Sequence, residues 1–564
     1  MSQKPLYHLA HSSVVEPLVN KWAAWPHVLA PVASSLHLQN YQIKLLESFL
    51  QDPEMHIEAC RSPKLRSGPF VALGRERVDE VSRFLADTRK LMSGNLELAK
   101  SLVEFHNYLS RTVGGESLEP FYEKIPEPLR GYVELMYDYY NHPIVRCQES
   151  LLYQSPYYQR SLQSLRIFQH KNDHSRPFFQ STPRLPEREQ IEWSIPFDSP
   201  RVDDFFNLDS SPRPLEEIRE LLGLSSADEQ LLLSFLTDEP VSPREKWDSD
   251  MVRIRMFGHA SALIEWNGTS ILVDPYVSVT PSEGGIDRFS FDSLPEKIDY
   301  VLITHLHQDH FCLETLLRLR RKIGCLVVPR SYGMFYADLS LKLLARKIGF
   351  PNVVELDALE SIPLPGGGEI IGVPFLGEHA DLPHGKSGYV IRAGREQILF
   401  GADSDCLDGR MYEHLRRMLG TIQTVFLGME CVGAPLSWSC GPLLPAKPEF
   451  SHDQSRRCHG CDSERALSIL KAVGARRVYI YAMGLEPWME HLLGLAYTED
   501  ARQIREARRL IEIAPAKSFI DAELLFGRCE IILDGERAPH FTSYSGLAPS
   551  LQGVALVEDQ FSFD

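Results

Sequence analysis

Hydrophobic and polar positions along this chain change their rhythm near residue 240. Before it the pattern is mixed. A 3.6-residue apolar period predicts helices over 77–92 ("RVDEVSRFLADTRKLM") and 129–142 ("LRGYVELMYDYYNH"). Alternating runs in "QSLRIFQH" and "EQIEWSIPF" predict strands. "PLEEIRELLG" and "SADEQLLLSFL" predict two short helices, the first stopped by glycine. The polar, proline-bearing stretch 237–250 has no period and marks the expected domain boundary.

Beyond it, "VRIRMF", "HASALIEW" and "TSILVD" read as three strands in quick succession, the last two joined by Asn-Gly, a strong hairpin signal. Strands and helices then alternate: "DYVLITH" before "LETLLRLRRKI", "CLVVP" before "YADLSLKLLARKI", and "TVFLGM" before "SERALSILKAV" and "RRVYIYAMG". The expected class is α/β, with stacked sheets flanked by helices over 251–536, a mixed α+β domain over 1–240, and a tail over 537–564 without assigned structure.

Composition narrows the partners. The 564 residues exceed what one hydrophobic core normally serves. A net charge of −17 opposes nucleic acid and anionic membrane surfaces as partners. No run is apolar enough to span a bilayer, and the opening residues lack a signal-peptide core, so the cytoplasm is the expected compartment. Ten scattered cysteines fit reduced thiols better than a disulfide framework.

The chemistry concentrates in "VLITHLHQDHF", residues 301–311. A buried strand ends at Thr304, which puts His305, His307, Asp309 and His310 on a loop at a sheet edge. Alternate residues of an extended stretch point the same way, so His305 and His307 can share one metal. Asp309 and His310, where the loop turns into a helix, can reach a second. A chance cluster is the bland reading, and this spacing at a strand end makes it the weaker one.

HxHxDH after an apolar strand resembles the signature of the metallo-β-lactamase superfamily, whose fold is an αβ/βα sandwich with a two-metal site at the sheet edges. "FGHASALIEWNGTSILVDPY" resembles its opening hairpin, and Asp274 resembles the aspartate that orients a ligand histidine. "ILFGADSD" resembles the strand that ends in the metal-bridging aspartate, here Asp403. In hydrolytic members the remaining ligands are histidines. Here "VPFLGEHAD" offers Glu378 beside His379, and "TVFLGMECVGAPLSW" offers Glu430, with His452 and His459 more than twenty residues beyond.

"GEHAD", "GMECVGAPLSW", "DQSRR" and "YAMGLEPW" together resemble the branch containing the diiron β-hydroxylase of chloramphenicol biosynthesis, which acts on amino acids tethered to nonribosomal peptide synthetases. The resemblance implies His305, His307 and Glu378 on one iron, Asp309, His310 and Glu430 on the other, and Asp403 between, with Glu378, Glu430 and Asp403 shaping the reaction. Four carboxylates balance the charge of two divalent ions and favour redox-active iron over zinc. The implied function is a monooxygenase using two Fe ions, O2 and an external reductant on a carrier-bound aminoacyl group. The implied partners are a carrier domain and a second copy, as a homodimer. The competing reading is a dizinc metallohydrolase of lactonase, thioesterase or phosphodiesterase type, which requires His379 with His452 or His459 as ligands.

Other features have bland readings beside functional ones. His259 either lines the metal pocket or is a satisfied histidine near a turn. "CHGC" at 458–461 lacks the second pair a structural zinc needs. "LPGGGEIIG" reads as a hairpin turn. Trp438, Tyr481 and Trp488 read as core or as a pocket wall. "LRLRRK" at 317–322 reads as a solvated helix face, or as a dock for an acidic carrier.

Overall fold

The structure, a computed structural model, describes residues 4–544 apart from 63–64, 66, 334–335, 378–384, 495–496 and 536–537. Its centre is a sandwich of two large sheets. The first has eight strands. Ile298–Leu302 lies inside it, parallel to Thr269–Val273 and Ile323–Val328, with the hairpin Val252–Gly258 and Ser261–Trp266 to one side. The second has seven strands, among them Gly388–Ala393, Glu396–Phe400, Thr424–Leu427 and Arg477–Ile480. Side chains such as Ile254, Ile264, Leu302, Phe400 and Phe426 fill the space between the sheets. Helices Gly409–Leu419, Ser463–Val473 and Arg502–Ser518 cover the outer face of the second sheet through a separate core.

The outer face of the first sheet is covered by helix Leu313–Leu319 and by the N-terminal half, and one continuous apolar cluster runs from Leu9 to Leu492. The N-terminal half contains a four-stranded antiparallel sheet in which Ser13–Val19 pairs with Gln163–Gln169, and a helical layer that includes Val78–Leu91 and Ser93–Thr112.

Three expectations change. Residues 129–142 are not a helix: Val133–Tyr137 is a strand hairpinned to Pro143–Cys147. The Asp138 carboxylate fixes the turn by accepting from the Tyr140 and His142 amides, both at 2.8 Å. Such local side-chain bonds compete with the helical ladder. "LRLRRK" is a solvated face only in part, at the exposed Arg321. Arg318 and Arg320 are buried, and their guanidiniums meet Asp209 at 2.7 Å and Asp203 at 2.8 Å. They join the metal-loop helix to the N-terminal half, so neither is available to a docking partner. The tail contributes an edge strand, His540–Ser543, paired with Cys529–Leu533. The turn at 364–368 is the expected hairpin, closed by Leu364 N–H donating to the Gly368 carbonyl at 2.8 Å. Tyr481 and Trp488 are buried core side chains. Among the described residues no helix is long and apolar enough to cross a membrane.

Candidate metal centre

The site forms where strands of both sheets end at one edge, as parallel pairing requires. Val273 lies opposite Leu302, so Asp274 and Thr304 emerge side by side. In the second sheet Phe400 lies opposite Phe426, so the Asp403 loop and the segment leading to Glu430 emerge together. Gly428 lets them touch: a Cβ there would stand 3.1 Å from Asp403 Oδ1.

Asp274 is fully buried and organises the first strand end. Its Oδ1 accepts from the Thr304 amide at 2.7 Å, and its Oδ2 accepts from Thr304 Oγ1 at 2.6 Å and from His310 Nδ1 at 2.8 Å. These bonds fix two tautomers. With its Nδ1–H given to Asp274, His310 keeps a lone pair on Nε2. Thr304 Oγ1 has given its proton to Asp274, so it accepts from His305 Nδ1 at 3.0 Å, and His305 likewise keeps its lone pair on Nε2.

Those two nitrogens flank one oxygen. Asp403 Oδ2 lies 3.5 Å from His305 Nε2 and 3.4 Å from His310 Nε2. His310 Nε2 is also 3.4 Å from Asp309 Oδ2, while His305 Nε2 faces His307 Nδ1 at 3.1 Å. Among the described residues, two groups bring three donor atoms within 4.8 Å of one another: His305, His307 and Asp403, and His259, Asp309 and His310. His310 Nε2 is buried without a hydrogen-bond partner. A buried lone pair aimed at two carboxylates is a poor arrangement for a neutral interior and a good one for cations. The donor set therefore fits a pair of metal ions.

The electrostatics agree. Burial disfavours protonated His310, yet the carboxylates of Asp309, Asp274 and Asp403 outweigh it and hold the ring well above the usual histidine range, so without a metal the Nε2 lone pair takes up a proton that a cation would displace. Burial opposes the ionised form of Asp309, but His310, His259 and His307 keep it well below the usual carboxylate range. Burial pulls His307 down. The field in this pocket is one that attracts positive charge.

Glu430 joins neither group; its carboxylate accepts from Tyr497 Oη at 3.4 Å. Glu378 and His379 lie outside the described residues, as does His384. The strand end leading to Glu378 is well defined. Lys386 Nζ donates to the Gly377 carbonyl at 2.6 Å, Gly377 bridges to Ser404, and the Asp405 amide donates to the Leu376 carbonyl at 2.6 Å. Gly377 has φ +95, and a Cβ there would stand 2.7 Å from Asp405 Cβ. His452 is 70% exposed, and His459 pairs with Asp405 at 3.4 Å; neither joins a donor group. Burial raises the Cys461 thiol well above its usual range, and its Sγ donates to the Ser404 carbonyl at 3.3 Å, a packing role behind the Asp403 loop. Tyr497 and the tie through Lys386 escape sequence reasoning, since neither sits in a motif.

Known proteins cover both halves. The diiron non-heme β-hydroxylase N-terminal domain family matches residues 8–240, and the β-lactamase superfamily domain matches residues 253–374. The chain is 34% identical over 512 residues to the 4-amino-L-phenylalanyl-(CmlP-peptidyl-carrier-protein) 3-hydroxylase of Streptomyces venezuelae, covering 90% of this chain and 96% of that protein. The crystal structure of CmlA, a diiron β-hydroxylase from Streptomyces venezuelae, superposes with a TM-score of 0.86 at 34% identity, over 93% of this chain and 99% of that one. By contrast, a metal-dependent hydrolase of Flavobacterium johnsoniae, 30% identical, matches 23% of this chain and 60% of its own length. Similarity to hydrolases thus stays within a fraction of the chain, whereas similarity to the hydroxylase extends through both halves, and the chain belongs to the diiron β-hydroxylase family.

Proposed function

We propose that this diiron β-hydroxylase acts on the β-carbon of an aminoacyl group held as a thioester on a nonribosomal peptide synthetase carrier domain, with O2 as co-substrate and an external reductant. The observation that carries the site reading is the position of Asp403 Oδ2, 3.5 Å from one imidazole lone pair and 3.4 Å from the other. His305, His307 and Glu378 would hold one iron, Asp309, His310 and Glu430 the second, with Asp403 between them. The bound irons supply the reduction of dioxygen and the oxidant for an unactivated C–H bond. One oxygen atom enters that bond. The other leaves as water, with two electrons from the reductant and two protons.

The chain's own residues make the pocket rigid where donors must not move. Asp274 holds His310 by its Nδ1–H, and Thr304 relays the same carboxylate to His305. Phe375 sets its ring edge-on to His305 at 5.6 Å. Residues 1–240 are assigned carrier recognition and self-association as part of this proposal, residues 251–536 the metal centre, and Asp403, Glu378 and Glu430 the carboxylate chemistry.

The test is iron loading followed by turnover. Protein reconstituted with ferrous iron should carry about two irons per chain, consume oxygen under reductant, and add one oxygen atom to an aminoacyl-carrier thioester but not to the free amino acid. Zinc occupancy with oxygen-independent thioester cleavage would overturn the reading. Glu430→Ala should lose one iron and turnover, while His452→Ala keeps both.

A further inference from the structure

His259 stands where a ligand would stand. Its Nε2 is 3.0 Å from Asp309 Oδ2, its ring centroid is 5.2 Å from that of His310, and it completes a three-donor group with both. The far side of the ring decides otherwise. His259 Nδ1 accepts from the Gly484 amide at 3.1 Å. An amide N–H only donates, so Nδ1 keeps its lone pair and the neutral ring carries its proton on Nε2. A protonated nitrogen has no lone pair to give a metal. It can only donate, and the acceptor in reach is Asp309 Oδ2. This is the reverse of His310 and His305, whose Nδ1 atoms face acceptors and whose Nε2 atoms keep the lone pair.

The backbone holds the ring in this orientation. His259 has φ +49, a left-handed conformation that side chains other than glycine rarely adopt, in the tight turn between Val252–Gly258 and Ser261–Trp266. Its carbonyl accepts from the Ala482 amide at 3.0 Å, and Gly484 follows in the same loop. The loop after strand Arg477–Ile480 of the second sheet therefore grips a turn of the first, and the grip ends on Asp309.

We infer that His259 is not a metal ligand but a positioning residue, which donates from Nε2 to Asp309 and fixes how that carboxylate meets the second metal. Asp309 Oδ2 then has one lone pair spent on His259, and the carboxylate cannot swing without breaking a buried bond. Carboxylate rearrangement around the pair of ions is left to the other acids of the site. The inference rests on the reading of Asp309 and His310 as ligands.

A cobalt titration separates the two. Full-length metal-free protein is titrated with Co(II), followed by its visible ligand-field bands and by metal analysis, for the native chain, His259→Leu, His259→Gln and Asp309→Asn. The glutamine amide nitrogen donates from nearly the place of imidazole Nε2. His259→Leu should retain the first cobalt and bind the second roughly 10- to 100-fold more weakly, and His259→Gln should restore native affinity and band intensity. A glutamine variant as weak as the leucine one, with altered bands, would mean that His259 is a ligand, and would overturn the inference. Asp309→Asn should lose the second cobalt; retention of both would bring down the ligand reading itself, and with it this role for His259. Should the leucine variant not fold, the glutamine variant decides alone.

Discussion

At the scale of single residues, hydrogen-bond direction sorts histidines that composition cannot. Asp274 gathers Thr304 N, Thr304 Oγ1 and His310 Nδ1 on one buried carboxylate. Asp274→Asn would turn a donor toward Nδ1 and favour the tautomer with its proton on Nε2, the wrong one for binding metal. Because Thr304 relays the same carboxylate to His305, we expect roughly 10- to 100-fold weaker binding of both metals, measured as iron per chain after desalting. HxHxDH was legible because its donors are adjacent in sequence. His259 was not, because its deciding partner, Gly484, is 225 residues away. Glu430 and Glu378 rested on resemblance, since a lone glutamate after a strand carries no spacing signal.

At the scale of elements, two positions test how the site's surroundings are built. Gly258 has φ +107, and a Cβ there would stand 2.8 Å from the ring of Trp488, itself buried and stacked under Arg288 at 4.0 Å. Gly258→Ala combines backbone strain with overpacking and should cost about 2–4 kcal/mol. Gly223, with φ +71 and open space around it, provides the control: Gly223→Ala should cost only about 1 kcal/mol, both variants being compared with the native chain by thermal melts. In helix Pro31–His37, His37 is packed against Trp25 and Tyr41, and burial pulls its pKa down to about 3. The unfolded chain takes a proton there near 6.5 and the folded one does not, so this group's contribution is complete above pH 6.5 and erodes as pH falls toward 3, by up to about 1.4 kcal/mol per unit. His37→Phe should flatten that part of the acid limb in denaturant titrations at pH 5 and 7. The misread segment 129–142 belongs at this scale too. Its apolar residues satisfy a helical period, and the turn that makes it a hairpin depends on the carboxylate of Asp138, which periodicity ignores.

At the scale of the molecule, the two halves share buried charge. Glu16, in strand Ser13–Val19, meets Arg166 at 2.6 Å, Arg176 at 3.1 Å and Arg184 at 3.2 Å, and Arg176 also meets Glu314 at 2.7 Å in the helix that follows the metal loop. Burial alone would raise the Glu16 pKa, but the three guanidiniums hold it well below the usual carboxylate range. Glu16→Gln leaves those cations under-compensated, and we expect a loss of about 3–5 kcal/mol in chemical denaturation. The same logic explains why "LRLRRK" misled. Arg318 and Arg320 read as solvated because Asp209 and Asp203 lie more than a hundred residues upstream. Local sequence predicts charge but not the company it keeps.

The slab of side chains between the two sheets has a consequence for the metal centre. His305, His307, Asp309 and His310 hang from one layer and Asp403 from the other, so the gap their atoms span depends on the packing between the sheets, to which Phe400 and Phe426, stacked at 4.6 Å on adjacent strands of the second sheet, contribute. Trimming a ring in that slab would leave a cavity into which the two rims can relax. The spacing of the donor atoms is thus sensitive to positions that never touch them, and a greasy interior becomes a dial for the geometry at its edge.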